Sequence, residues 1–293
     1  MSALRFLACS AALLAVAASA QQPAGPQPPV TDGETVIVEG ERVSTKPPSV
    51  IQQLKTIIAE ADSDQLARFE MAVCPMVIGM PREWTGPLTR MIRENVIAVG
   101  GEVAEAGCSV NAAVIFIDEP LELVRGLYKE EPSFFFTMTP REFYYFSEQP
   151  QPVFSWHLTN TYTRDGGYMS KVVRSAAATR MYTNIREEME AGIVVIDRAK
   201  TEGKTLRQLA DFATMHLLLD VKPRAGRFDK SSILSLFEKR LRGDPPPRLS
   251  RFDQAALSGF YTQRENNRTA AAQRQNIAQA VEKSAKEQAQ SDE

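Results

Sequence analysis

Between residues 205 and 219 the apolar positions Leu206, Leu209, Ala210, Phe212, Ala213 and Leu217, with His216 among them, recur at helical spacing. Thr205 and Gln208 make a T-x-x-Q capping box, so the pattern predicts a buried helix starting at Leu206. A second long helix is predicted from Pro81 to Val99. Trp84, Leu88, Met91, Ile92, Val96 and Val99 share its inner face, and Gly100-Gly101 stops it. Strand-like runs surround these helices. Phe69 to Gly79 is apolar and β-favouring with a break near Pro75, and Asn111 to Asp118 is a continuous apolar run bounded by polar residues, which fits a buried strand. Val153 to Tyr162 alternates, Arg164 to Gly167 turns the chain, and Thr179 to Tyr182 and Gly192 to Asp197 read as further strands. The polar, acidic stretch from Asn184 to Ala191 is predicted as helix or loop.

Two shorter helical signals lie between. Pro120 to Tyr128 reads as a short helix, and Thr139-Pro-Arg-Glu142 is a capping box with proline at the first helical position. Around the latter, Phe134, Phe135, Phe136, Phe143, Tyr144, Tyr145 and Phe146 concentrate aromatic surface, either as a core wedge or as a groove for a ligand or peptide. The sum of elements predicts an α+β fold, a mixed or mostly antiparallel twisted sheet backed by the two long helices, with a small helical part from Ser231 to Tyr261 packed below. An α/β three-layer sandwich is the alternative.

The ends set the domain limits. Residues 1–20 read as a signal peptide: Arg5 supplies the charge, Phe6 to Ala17 the apolar core, and Ala18-Ser19-Ala20 the cleavage site. That run is too short to anchor the chain in a bilayer. Residues 21–49 are rich in Pro, Gly, Gln and Thr and read as a linker. Within it Glu34 to Arg42 resembles the segment ahead of the plug in TonB-dependent receptors, which implies a docking peptide acting by strand addition; a plain linker is the other reading. A globular domain is expected over 50–263, followed by a polar helical or frayed tail over 264–293, outside the core.

With 34 basic and 36 acidic residues the chain carries no basic excess for nucleic acid or an anionic membrane. Export leaves Cys74 and Cys108, and a structural disulfide is expected between them, against two free thiols or a redox pair, for which the C-x-x-C spacing is missing.

Three pieces near the C-terminus, the helix at 206, Ser232-Ile-Leu-Ser-Leu236, and Leu249-Ser250 with Asp253, Leu257 and Phe260-Tyr261, resemble in order and spacing the second half of a metzincin-type zinc peptidase. In that family a helix H-E-x-x-H-x-x-G-x-x-H leads to a methionine-containing turn and a last helix. The resemblance implies a zincin-like fold. It also implies that the strand Ile193 to Asp197, just before the helix, walls the cleft. The family's first histidine falls on Gln208, its glutamate on Leu209 and its second histidine on Phe212, and leucine and phenylalanine neither ligate zinc nor move a proton.

Other chemistry is sparse. The chain has two histidines, His157 and His216. His216 follows the apolar face of the helix and reads as a core or rim histidine, although a site of both imidazoles with Asp211 or Asp220 is geometrically conceivable. Asp118, Asp197 and Asp211 border apolar runs, where strand-end or helix-cap duty is the default, and Asp211 can instead pair with Arg207 one turn earlier. No G-x-S-x-G elbow and no phosphate-binding glycine loop occur. The expected function is therefore an exported, periplasmic or secreted protein with a catalytically inactive zincin-like domain. It would bind or scaffold a peptide or envelope protein, with no cofactor. The alternative is an envelope hydrolase using carboxylates or His157 and His216.

Overall fold

The computed structural model describes residues 48–163, 165–169, 182–222, 228, 231–238, 244–263 and 266–291. Residues 47–293 form one compact unit, and every feature below belongs to it. The expected signal peptide and the segment Glu34 to Arg42 lie outside the described residues, as does most of the run from Thr179 to Tyr182.

The sheet is mixed and has four strands, β1 (Pro75–Ile78), β2 (Ala112–Ile117), β3 (Val153–Thr163) and β4 (Ile185–Asp197), in the order β1-β2-β4-β3. β1, β2 and β4 run parallel, and β3 is antiparallel to β4 at the sheet's edge. Side chains alternate across it as a period of two requires. Val114, Phe116, Val194 and Ile196 enter the larger core, and Ile193 and Val195 enter the smaller one.

The larger core holds α1 (Val50–Ile57), α2 (Arg82–Ala98) and α5 (Leu206–Leu218), with α6 (Arg251–Tyr261) and α7 (Ala270–Ser291) beside them. Both long helices stand where the apolar stripes predict. Thr205 and Gln208 close the reciprocal capping box of α5, and its side chains from Leu209 to Leu218 are all buried. Each fully buried Leu, Met or Phe of that run contributes about 1.5–3 kcal/mol relative to exposure. The opposite face is covered by α3 (Pro120–Glu130), the 3-10 turn Pro132–Phe135 and α4 (Pro140–Phe146), which starts at the Thr139/Glu142 capping box. The aromatic concentration divides here. Phe135, Phe143 and Phe146 are buried with Trp156, whereas Phe134, Phe136, Tyr144 and Tyr145 stay exposed.

Two expectations are corrected. Asn184 to Ala191 is neither helix nor loop, because β4 begins at Ile185 and its polar side chains are answered across the strand pair. Ile185, Glu187 and Met189 alternate inward, Arg186 pairs with Glu188, and Glu190 accepts from the Tyr162 hydroxyl at 2.6 Å. The tail after residue 263 is helical, yet the first half of α7 is core. Ala270, Ile277, Ala278 and Val281 pack into it, and Gly259 of α6 lets α7 approach: a Cβ there would meet Ala280 at 2.6 Å. A small-residue contact of this kind has too little apolar bulk to show in composition.

Polar groups fix the joints. The disulfide Cys74–Cys108 forms, with Cα atoms 6.1 Å apart, tying the entry of β1 to the loop before β2; a loop of that length contributes about 3–4 kcal/mol in the chain-entropy model. Asp211 is completely buried. It accepts from Asn95 of α2 at 2.8 Å and from the Leu249 N–H at 2.6 Å, and it pairs with Arg207 at 2.8 Å. Asp253 binds the Ser232 hydroxyl at 2.6 Å and the Ile233 N–H at 2.8 Å, so the 3-10 turn Ile233–Phe237 is held to the start of α6. Asp118 pairs with Arg198, and Asp197 caps the turn after β4 by accepting from the Ala199 N–H. Asp197 caps as its position implied, Asp211 takes the expected pair with Arg207, and Asp118 makes an ion pair rather than a cap.

Candidate binding site

Within the sheet β3 is paired on one side only, and on its other side its last residues alone are bridged, Tyr162 to Tyr168. Its odd-numbered residues turn their backbone groups away from β4: the His157 carbonyl accepts from the Thr137 hydroxyl at 2.9 Å, and the Thr161 carbonyl accepts from the Met169 N–H. The N–H groups of Ser155, His157 and Thr159 therefore face the open edge. The same odd residues point their side chains toward the end of α5. Ser155 donates to or accepts from His216 Nδ1 at 2.8 Å, and His157 Nε2 lies 2.9 Å from the Leu217 carbonyl. A carbonyl only accepts, so Nε2 of His157 carries the proton and satisfies one of the last carbonyls of α5, which have no partner within the helix.

Gly192 makes room for this ring. It stands opposite His157 in the strand register, and a Cβ on it would lie 3.1 Å from His157 Cδ2. On its other side, His157 Nδ1 has no hydrogen-bond partner and faces Asp220 Oδ1 at 3.5 Å.

A pocket of about 640 Å³ runs along this edge. Its floor is Ser155, His157, Thr159 and Thr161 with Glu187 of β4; one wall is Phe136 to Thr139 with Glu142 and Tyr145; the other is Ala59 to Ser63 with Asp220. The second wall is held by main-chain bonds, because the Ala59 N–H donates to the Asp220 carbonyl at 2.7 Å and the Lys222 N–H to that of Ile57 at 2.8 Å. The volume lies within the range of ordinary ligand sites.

The lining is acidic. Glu60, Asp62, Glu142, Glu187 and Asp220 reach it, and no lysine or arginine does among the described residues. Glu60 is paired with Arg274. The Thr139 N–H, and after it the Thr139 hydroxyl, hold the Glu142 carboxyl below its ordinary range, so the first wall carries a settled negative charge. Glu187 is 5% exposed, and its Oε2 accepts from the hydroxyls of Ser63 at 3.0 Å and Thr161, its cross-strand neighbour, at 2.9 Å. Oε1 takes no hydrogen bond, and no cation stands against the carboxylate among the described residues.

The positions singled out by the zinc-peptidase resemblance lie elsewhere. Leu209 and Phe212 are 2% exposed in the larger core, and Gln208 is spent on the Thr205 cap and on the Pro246 carbonyl at 3.0 Å. His216 lies behind Ser155, its ring tilted against that of Phe212 with centroids 4.5 Å apart. Burial first, and the neighbouring His157 second, push its imidazole down to about 3, so it is neutral. The two histidines thus meet the same stretch of β3, but only His157 lines the pocket. Among the described residues no group of three His, Cys, Asp or Glu converges as a metal site.

Comparison with known proteins returns nothing: no protein-family model, curated protein or solved structure matches this chain. The site has to be read from its own geometry.

The strand Ile193 to Asp197 does not wall the pocket, because β4 is interior and β3 takes the edge. Sequence reading missed Ser155, Thr161, Ser63 and Glu187. One signal was present: Ser155, His157, Thr159 and Thr161 put polar groups on one face of an alternating strand whose other face is apolar at Phe154, Trp156 and Leu158. A half-polar edge strand beside core is where a binding groove forms.

Proposed function

We propose that this is an exported, periplasmic protein whose zincin-like domain has lost catalysis and works as a binding module, taking up an extended peptide from an envelope partner along β3. The observation that carries the reading is the pocket on the open edge of an 11-residue strand. The outward N–H groups of Ser155, His157 and Thr159 there fit strand addition, in which main-chain bonds supply affinity and side-chain pockets supply specificity. The order of elements supports the zincin-like part: strand, long helix, strand, then an antiparallel edge strand, a further parallel strand, a buried helix, a turn and a further helix, with α7 added after it. The absence of zinc ligands at Gln208, Leu209 and Phe212 supports the loss of catalysis. Among the described residues no helix is long and apolar enough to cross a membrane. The disulfide supports an oxidising compartment.

Amide hydrogen exchange tests the binding part. In the presence of a pool of extended peptides, the amides of Ser155, His157 and Thr159 become protected while β1 is unchanged. Unchanged exchange along β3 rejects the reading, and so does stoichiometric zinc held by α5 after purification with the metal.

A second reading, a hydrolase using Ser155 with His216, has the 2.8 Å contact in its favour. Against it, an imidazole pushed down to about 3 resists the proton that a general base must take from the serine. Covalent labelling of Ser155 by a fluorophosphonate would favour the hydrolase.

A further inference from the structure

We infer that the peptide this groove takes is a basic one, and that Glu187 receives a lysine or arginine side chain of the bound strand. The inference rests on the binding reading above and adds the chemistry of the partner. It begins from a buried carboxylate that the chain answers only in part. Glu187 is 5% exposed, both its donors are neutral hydroxyls, and both go to Oε2. A desolvated carboxylate is ordinarily met by a cation or by several N–H donors. Here Oε1 is left to the pocket.

The surroundings agree in sign. Asp62, Glu142 and Asp220 share the lining with Glu187, and no lysine or arginine among the described residues competes for them. An acidic groove of this kind raises the local concentration of a cationic partner and rejects an acidic one. The site also has the shape of a strand with a side chain rather than of a free amine. The open edge of β3 supplies the outward N–H groups of Ser155, His157 and Thr159 as main-chain partners, and Thr161, two residues on, is the direct cross-strand neighbour of Glu187. An added strand pairing with β3 therefore has its alternate side chains passing over the floor where Glu187 stands. Phe136, half-exposed in the wall, offers apolar surface to the methylene stem of a long basic side chain.

The test uses the full mature chain and fluorescent, end-capped octapeptides of alternating threonine and valine, identical but for one central position that is lysine, arginine, glutamine, norleucine or glutamate. Binding is read by anisotropy at low and high salt. The expected result is that the lysine and arginine peptides bind at least about tenfold tighter than the glutamine and norleucine ones, a charge-assisted hydrogen bond's worth, and that the glutamate peptide binds weakest. Salt narrows the gap, and Glu187→Gln removes most of it. Equal binding of all five peptides overturns the basic preference and leaves the binding module standing. No binding by any of them overturns both. Binding of n-butylamine as tight as that of the lysine peptide overturns the peptide as occupant. The series on the unaltered protein decides the question even if Glu187→Gln folds poorly.

Discussion

Asp211 and Glu187 are both buried carboxylates, and they are treated in opposite ways. Asp211 is met from every side: a guanidinium from its own helix, an amide from α2 and the N–H that leads into α6. Asn95 in turn bonds Arg207 at 2.5 Å and Thr214 at 3.0 Å, so the network closes on itself. Glu187 meets two hydroxyls on one oxygen and opens the other to a pocket. A buried charge fully answered within the chain works as a joint between elements. One answered in part is a place where something else completes the pairing, since leaving it alone costs free energy in proportion to its desolvation.

The sharpest way to break the contrast is to remove the closed network. Asp211→Ala leaves Arg207, Asn95 and the Leu249 N–H without their common acceptor, and about 3–5 kcal/mol of stability should be lost. Urea unfolding measures it. A loss below about 1 kcal/mol would mean that the joint between α2, α5 and α6 rests on apolar packing alone.

Acid tests the sealed end of α5. The folded protein keeps His216 neutral down to about pH 3, while the unfolded chain takes up the proton near its ordinary value of 6.5. Between those values the unfolded state binds more protons, so stability falls as the pH drops, by about 1.4 kcal/mol per unit and about 2 kcal/mol by pH 5. His216→Gln removes this slope. The buried Asp253, whose carboxyl burial pushes up, contributes to the acid behaviour of both proteins and cancels in their difference. Parallel curves for the two would show that water reaches His216.

The smallest effect is expected on the open side. Glu187→Gln keeps an acceptor oxygen for Ser63 and Thr161 and deletes a buried charge that lacks a cation, so stability should stay within about 1 kcal/mol of the parent or rise. Chemical unfolding of the two proteins side by side measures it. A loss as large as that for Asp211→Ala would make Glu187 a joint as well, and the two carboxylates would cease to differ.

The sequence by itself determined the parts whose signal is local and periodic. α2 and α5 follow from apolar stripes at helical spacing, α4 and α5 start at capping boxes spelled three residues apart, and the core of the sheet follows from the apolar run at Asn111 to Asp118. The α+β class with a mixed sheet follows from the same elements, and the pairing of Cys74 with Cys108 from their being the two cysteines outside the apolar N-terminal segment. Only the tertiary structure decided what depends on partners far along the chain. Glu187 is in a strand with one of its oxygens held by Thr161 and Ser63, 26 and 124 residues away. The first half of α7 is core because Gly259 admits it. The pocket exists because β3 takes the edge of the sheet and residues 59–63 are bonded to 220 beside it. Periodicity reports which face of an element is apolar. It carries no record of which distant group will meet a polar side chain, and here that meeting separates a structural joint from a candidate binding site.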